Sequence, residues 1–415
     1  MTAVEKAWGQ PNWLRPWWKM LPKRWGHRWH SMCSYLAMFP PSIPRYFIEQ
    51  CSRPGDVVYD PFSGRGTTPL EACLAGRVGI GSDANPLAVV LTKAKVDAPS
   101  LENVLRRLRE LANAYRKPDM SGVPPEIRQL FDGRRTLPQL LFLRGQLNAR
   151  NVLDNFLLAT LCGILHGNHP KNQVPTRTLS ISMPNTFSMS PRYIARYKRR
   201  HRLRKHAIDV FGATERRLRH LYSDNPPPVR GFAFRADARR VDQVVPRSGV
   251  DLVVTSPPYL NVIRYGKYNW IRLWLLGHTS GAVDASIGVE QTDKRLGLAD
   301  RLHFEQYQTF ICDVLTGCAT TLRPGGYCVV VIGDVVDKNK ARNLAADTWA
   351  RIQQDVPLKI VDIVDDTIVS GKVTRIWGGR KGAATKVDRM LILRKPGRAF
   401  CRPRMPSSVI ERLKC

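Results

Sequence analysis

The apolar positions of this 415-residue chain fall into two kinds of run, and their alternation predicts a layered architecture. Short runs rich in β-branched and aromatic residues stand at 56–60, 78–82, 231–236, 251–255, 327–333, 358–364 and 389–394. Such short apolar runs read as strands buried on both faces of a sheet. Between them lie stretches with helical spacing, such as TTPLEACLA after the first run and LAVVLTKAKV after the second. Strands alternating with helices argue for a parallel-rich sheet covered on both sides. The expected fold class is therefore α/β, with a seven-stranded, mostly parallel, Rossmann-like sheet.

The alternation is interrupted between the second and third strands, where residues 97–230 read as a large helical insertion. Ser100 is placed to cap a helix whose Val104, Leu105, Leu108, Leu111 and Tyr115 keep helical spacing until Pro118. Further helices are expected over 136–148 and 152–166, and FLLATLCGIL (156–165) reads as a core helix. SDNPPPVRG (223–231) marks the return to the sheet.

Two strand ends carry candidate chemistry. The fourth strand runs into TSPPY (255–259), and consecutive prolines cannot continue a central strand because each lacks the ladder N–H. The turn is expected to leave backbone carbonyls and the Ser256 hydroxyl unpaired and facing outward, with Tyr259 as a flat lid. Such groups accept hydrogen bonds from an exocyclic amine while an aromatic ring stacks on the same base. The first strand runs into DPFSGRGTT (60–68), whose glycines let backbone amides approach a ligand before the next helix begins. Its spacing is neither a P-loop nor the dinucleotide GxGxxG pattern. The second strand ends in Asp83, which suits the hydroxyls of a ribose or, equally, a solvated strand end. Asn85-Pro86 then favours a turn into the following helix.

Together these motifs resemble the S-adenosylmethionine-dependent amino-methyltransferases that act on exocyclic nitrogens of DNA bases. DPFSGRGTT looks like that family's cofactor motif and TSPPY like its catalytic motif in the serine form. YLAMFPP (35–41) looks like the segment that closes over the methionine half of the cofactor. The resemblance implies that Phe39, Asp60, Phe62, Gly64, Gly66, Thr67, Thr68 and Thr255 belong to the cofactor site, with Asp83 on the ribose. Asp237 would sit beside the adenine amino group, although Asp242 and Asp251 lie nearby in sequence. It makes Ser256, Pro257, Pro258 and Tyr259 the catalytic turn. Ser256 Oγ and the Pro257 carbonyl would accept the amine's hydrogens, localising its lone pair, while Tyr259 holds the ring. Holding the reactants correctly can supply about 7–11 kcal/mol. Its sheet is likewise seven-stranded. The implied organisation is a basic, Trp-rich arm (1–33), a cofactor-binding half (34–97), a helical insertion (98–230), a catalytic half (231–395) and a tail (396–415).

Charge then narrows the partner. The chain carries 65 Lys+Arg against 34 Asp+Glu, a formal net charge of +31, which calls for a polyanion. In RYIARYKRRHRLRKH (192–206), Arg199, Arg200, Arg202, Arg204 and Lys205 have few acids near them in sequence, so a phosphate-binding surface is favoured over a solvated helix face. The loops at 278–300 and 374–386 are further candidates for target contact. In the arm, Trp8, Trp13, Trp17, Trp18, Trp25 and Trp29 alternate with basic residues. That composition suits base stacking; simple anchoring of the segment to the core is the favoured alternative. No apolar run reaches the ~20 residues of a membrane span, and no secretory h-region opens the chain. The nine cysteines and nine histidines lack metal-ligand spacing, so no metal is expected and free thiols in the cytoplasm are.

The leading expectation is a DNA cytosine-N4 methyltransferase using S-adenosylmethionine. It would act on double-stranded DNA with a flipped target base, as the modification enzyme of a restriction pair with a cognate endonuclease as partner. Adenine-N6 methylation, RNA base amino-methylation and a non-catalytic nucleic-acid binder are the alternatives.

Overall fold

The computed structural model describes residues 17–21, 26–35, 40–169, 178–183, 189–258, 265–286, 300–337, 340–367 and 387–397. Seven strands form one sheet: β1 (Val57–Asp60), β2 (Val78–Asp83), β3 (Phe232–Arg235), β4 (Val250–Thr255), β5 (Leu322–Gly333), β6 (Lys359–Thr367) and β7 (Val387–Arg394). Their order is 3-2-1-4-5-7-6. The ladders from β3 across to β5 are parallel, whereas β7 runs antiparallel to both β5 and β6. This is the Rossmann-like sheet of methyltransferases, and each expected strand is present.

One boundary moved. RPGG (323–326) is expected as the turn before the fifth strand, yet β5 begins at Leu322, which pairs with Val250. The register shifts before Leu252 meets Tyr327, so the glycines form an irregularity within the strand.

Alternate residues of the central strands face opposite layers, as a period of two requires. Val58, Leu252, Val254, Val329 and Val331 pack under α1 (Ser42–Cys51) through Ile43, Phe47 and Ile48. Val57, Tyr59, Val253, Cys328 and Val330 face the other way, toward Ile311, Val314 and Leu315 of one helix and Leu344 and Trp349 of another. Helices α2 (Thr67–Leu74) and α3 (Pro86–Val96) follow the first two strands. Asn85 caps α3, its side chain accepting from the Leu87 amide at 3.0 Å.

Among the described residues, five longer helices occupy the insertion: α4 (Leu101–Asn113), α5 (Thr136–Gln146), α6 (Val152–Ile164), α7 (Pro191–Arg200) and α8 (Val210–Leu221). Ser100 caps α4, as its sequence position implies. Val104, Leu108, Leu140, Phe156, Leu161 and Leu218 share one apolar cluster with Leu87, Val90, Leu91 and Ala94 of α3. The insertion leaves and rejoins the sheet at a single point, where the Gly231 amide donates to the Val96 carbonyl at 2.8 Å. A side chain at Gly231 would stand 2.1 Å from the Gly79 carbonyl oxygen, so the return needs glycine.

Of the arm's tryptophans, Trp18 and Trp29 are anchors. Trp18 packs edge-on against Tyr46; Trp29 is fully buried, and its Nε1 donates to the Leu221 carbonyl at 2.8 Å. Trp8, Trp13 and Trp25 lie outside the described residues, and nothing is described of Trp17's side chain.

Candidate active site

Parallel strands present their carboxyl ends at one edge, where functional groups of α/β sheets collect. Asp60 closes β1 and Thr255 closes β4, the strand beside it. Across the 195 residues that separate them, Thr255 Oγ1 donates to Asp60 Oδ1 at 2.6 Å. The Phe62 amide donates to the same oxygen at 3.0 Å. Asp60 is 1% exposed. Burial pushes its pKa up to about 7, despite the hydrogen bonds from Thr255 and Phe62 that favour the anion.

The glycine-rich turn then bends beneath the edge. Gly66 sits at φ +76° as the N-cap of α2, and a Cβ there would lie 2.9 Å from Thr92 Cα. Arg65 folds inward rather than toward solvent. Its guanidinium donates to the His30 carbonyl and to Thr67 Oγ1, while Lys95 Nζ donates to the Arg65 carbonyl. Burial lowers the Arg65 pKa to about 10. His30 in turn contacts the buried Glu71 at 2.6 Å. The turn is thus held from behind by the N-terminal segment and by α3. Thr67 and Thr68 are both buried at the start of α2.

Asp83, at the end of β2, is half-buried and takes two backbone amides: Gly64 to Oδ2 at 3.0 Å and Asn85 to Oδ1 at 2.9 Å. Burial pushes its pKa up to about 6, against both hydrogen bonds. It is therefore no freely solvated strand end. Asp237 follows β3 at the same edge, where Ala236 N reaches the Asp83 carbonyl. Its carboxylate pairs with the Arg239 guanidinium and accepts from the Arg239 amide. Asp251, the second residue of β4, lies at the opposite edge, accepting from the Val57 amide and pairing with Arg323, which separates it from this group.

The TSPPY turn differs from expectation at one point. The Ser256 hydroxyl is not unpaired: it donates to the Val331 carbonyl of the adjacent β5 at 3.1 Å. The cause is the parallel neighbour, whose ladder continues alongside the turn. With its hydrogen directed there, Oγ presents lone pairs only. Pro257 is buried and Pro258 half-buried. Tyr259 and Phe39 lie outside the described residues, as do 374–386 and most of the loop at 278–300. Phe62 is half-buried against Phe310.

In the basic run, helix α7 ends at Arg200 and the chain continues without helix through Lys205. Arg199, Arg200, Arg202, Arg204 and Lys205 are all exposed. Just ahead of α7, the Met189 carbonyl accepts from Trp270 Nε1 at 2.8 Å, so the run is tethered to the segment that follows the catalytic turn. Among the described residues no His, Cys, Asp and Glu cluster could hold a metal, and no helix is long and apolar enough to cross a membrane.

The sheet order defines a methyltransferase-type fold, and Asp60 and Thr255 meet at its β1–β4 edge. Residues 7–93 match a family model described as DNA methylase. The Type II methyltransferase M.MjaII of Methanocaldococcus jannaschii is 27% identical over 84 residues, covering 20% of this chain and 16% of that protein. The Type II methyltransferase M.MvaI of Kocuria varians is 33% identical over 94 residues, covering 22% of this chain and 20% of that protein. These matches thus span about a fifth or less of the relatives' length. A putative DNA modification methylase of Thermus thermophilus, solved as a crystal structure, is 24% identical over 43% of this chain and 62% of its own, at a TM-score of 0.25; that score is too low to bear on the assignment. The resemblance to S-adenosylmethionine-dependent DNA amino-methyltransferases holds, and the cofactor it implies is S-adenosylmethionine. The residues fit that group: two buried or half-buried carboxyls, Asp60 and Asp83, face one edge with no cationic partner among the described residues, which suits a cationic sulfonium nucleoside.

Proposed function

We propose that this chain is a DNA methyltransferase that modifies the exocyclic N4 amine of cytosine in double-stranded DNA, the target base being flipped from the stack. One observation carries the reading: the Thr255–Asp60 hydrogen bond fastens the catalytic turn directly to the cofactor motif. When bound, S-adenosylmethionine supplies an electrophilic methyl on a sulfonium. Asp60 and the turn at Gly64 and Gly66 then hold the methionine end, Asp83 takes the ribose hydroxyls, and Asp237 stands at the adenine end. Ser256 Oγ, its own hydrogen bonded to Val331, acts purely as an acceptor for one amine hydrogen, and the Pro257 carbonyl accepts the other. Both contacts draw the nitrogen lone pair out of the ring. Tyr259 holds the base face, and extrusion costs a few kcal/mol. The exposed arginines at 199–204 and Lys205 would bind phosphates beside this edge, making the insertion the target-recognition region.

Serine at the head of Pro-Pro-Tyr supports cytosine. The test is incubation of unmodified DNA, and separately RNA, with isotopically labelled S-adenosylmethionine, followed by nucleoside mass analysis. Labelled N4-methylcytosine from DNA is expected. N6-methyladenine would reassign the base, label in RNA would reassign the polymer, and no product with cofactor demonstrably bound would leave a binding protein.

A further inference from the structure

Two tyrosines, one at the head of YLAMFPP and one beyond TSPPY, meet over the same edge. Tyr35 lies ahead of α1, and Tyr265 follows the catalytic turn, opening the short helix Tyr265–Tyr268. Their rings stack, with centroids 5.8 Å apart and planes inclined by 26°. A Cβ built on Gly64 would touch the Tyr35 ring at 3.4 Å, so the stack lies directly against the glycine-rich turn. The Tyr35 hydroxyl accepts from Asn85 Nδ2 at 2.9 Å, two residues beyond Asp83. The charge of Asp83, after burial, helps to raise the ionisation of both phenols, which places its carboxylate close to the two rings.

The two segments are also fastened from behind. Arg272 is 1% exposed. It donates to Ser34 Oγ at 2.8 Å, to Asn269 Oδ1 at 3.0 Å and to the Cys162 carbonyl at 3.1 Å. Asn269 Nδ2 in turn donates to the Tyr265 carbonyl at 2.9 Å. Residues 34–35 and 265–272 are therefore joined twice, by a ring stack in front and by a buried guanidinium behind. Such a wall, apolar in face and flanked by a carboxylate, suits the sugar face of a nucleoside.

The geometry points to Tyr265, stacked on Tyr35, as a wall of the cofactor site that packs against the ribose of the bound nucleoside beside Asp83. This rests on the proposed use of S-adenosylmethionine. It also makes the stretch from Tyr265 to Arg272 part of the cofactor pocket.

The test compares binding of S-adenosylmethionine, 5′-methylthioadenosine and methionine to the full chain by calorimetry. Tyr265→Phe should bind as wild type, because the ring and not the hydroxyl is used. Tyr265→Leu should lose about tenfold affinity for S-adenosylmethionine and for methylthioadenosine alike, the order of one aromatic contact. Loss confined to S-adenosylmethionine would move the wall to the methionine end and overturn the assignment, as would unchanged affinity. A Leu variant that fails to fold leaves a wild-type measurement: tetranitromethane nitration of Tyr265, mapped by mass spectrometry, should be blocked by methylthioadenosine and not by methionine. Absence of that protection overturns the inference alone; a wild type that binds neither nucleoside overturns the cofactor reading with it.

Discussion

Asp60 is the residue on which most of the site converges, and its environment is costly. It is sealed from water at the end of a central strand, and its carboxyl is raised from the ordinary 3.8 to about 7. A carboxyl with a higher pKa folded than unfolded is held back from ionising by the fold. From about pH 4 to about pH 7 the unfolded chain releases that proton first, so stability falls as pH rises through this window. For Asp60 the loss is at most about 4 kcal/mol. Asp83 and Glu71 are shifted the same way, to about 6 and about 7, and add to the slope. Asp60→Asn should therefore raise the unfolding midpoint of the ligand-free protein at about pH 8 while changing it little near pH 4. Asparagine still accepts from the Phe62 amide. Thermal melts across that range decide the matter, and an equal slope in both proteins would show that Asp60 ionises freely. Little of this was legible locally: DPFSGRGTT identifies Asp60, but its burial follows from Thr255, 195 residues away. Tyr265 and Arg272 gave no signal at all, since neither belongs to a motif and only the fold brings Tyr35 and Ser34 against them.

At the scale of elements, the strands were legible because each centres on a short apolar run, and their alternation with helices implies a parallel-rich sheet, whereas the order of the strands was not legible. What the pattern does not contain is where a ladder resumes after a turn. Leu322 pairs with Val250 across RPGG because an apolar leucine gains more from the core than from the loop. The same applies to the partner of Ser256, a carbonyl of β5 that no spacing along 251–259 could announce. The segment carrying Trp29 and Tyr35 also behaves as an element, although only its 3-10 turn Arg28–Ser31 is regular. Trp29 stacks edge-on with Phe156 and Tyr222 and bonds Leu221, tying the arm to the insertion. Trp29→Ala should cost about 3–5 kcal/mol, the range for a large buried ring. Calorimetric unfolding should show a midpoint lower by several degrees; an unchanged midpoint would mean that the arm contributes nothing to the folded state.

For the whole molecule the dominant quantity is charge. A formal +31 cannot be neutralised internally by 34 acids against 65 bases, and many of those acids are already committed to partners such as Arg107–Asp154 and Arg389–Asp334. The basic run at 199–205, which forms no ion pair among the described residues, lies on the insertion's exterior, with Lys205 donating to the Arg128 carbonyl, while the insertion's interior is continuous with α3. Glutamate at Arg199, Arg200 and Arg204 together should weaken DNA binding and flatten its salt dependence. For every phosphate no longer neutralised, the slope of log affinity against log salt should shrink by about 0.9. Fluorescence anisotropy with a short duplex over a salt series measures both. An affinity and slope equal to wild type would take this surface out of the interface, leaving the positive charge to act elsewhere.

The bond between Thr255 and Asp60 has a corollary of its own. A threonine hydroxyl owns a single hydrogen, and here it points at the acid. Should Oδ1 itself take up a proton, two hydrogens would compete for one short gap. Either the acid becomes the giver and the threonine hydrogen swings away, or the contact breaks. The protonation of one carboxyl is thereby converted into the orientation of an O–H at the threshold of the turn proposed to handle the base.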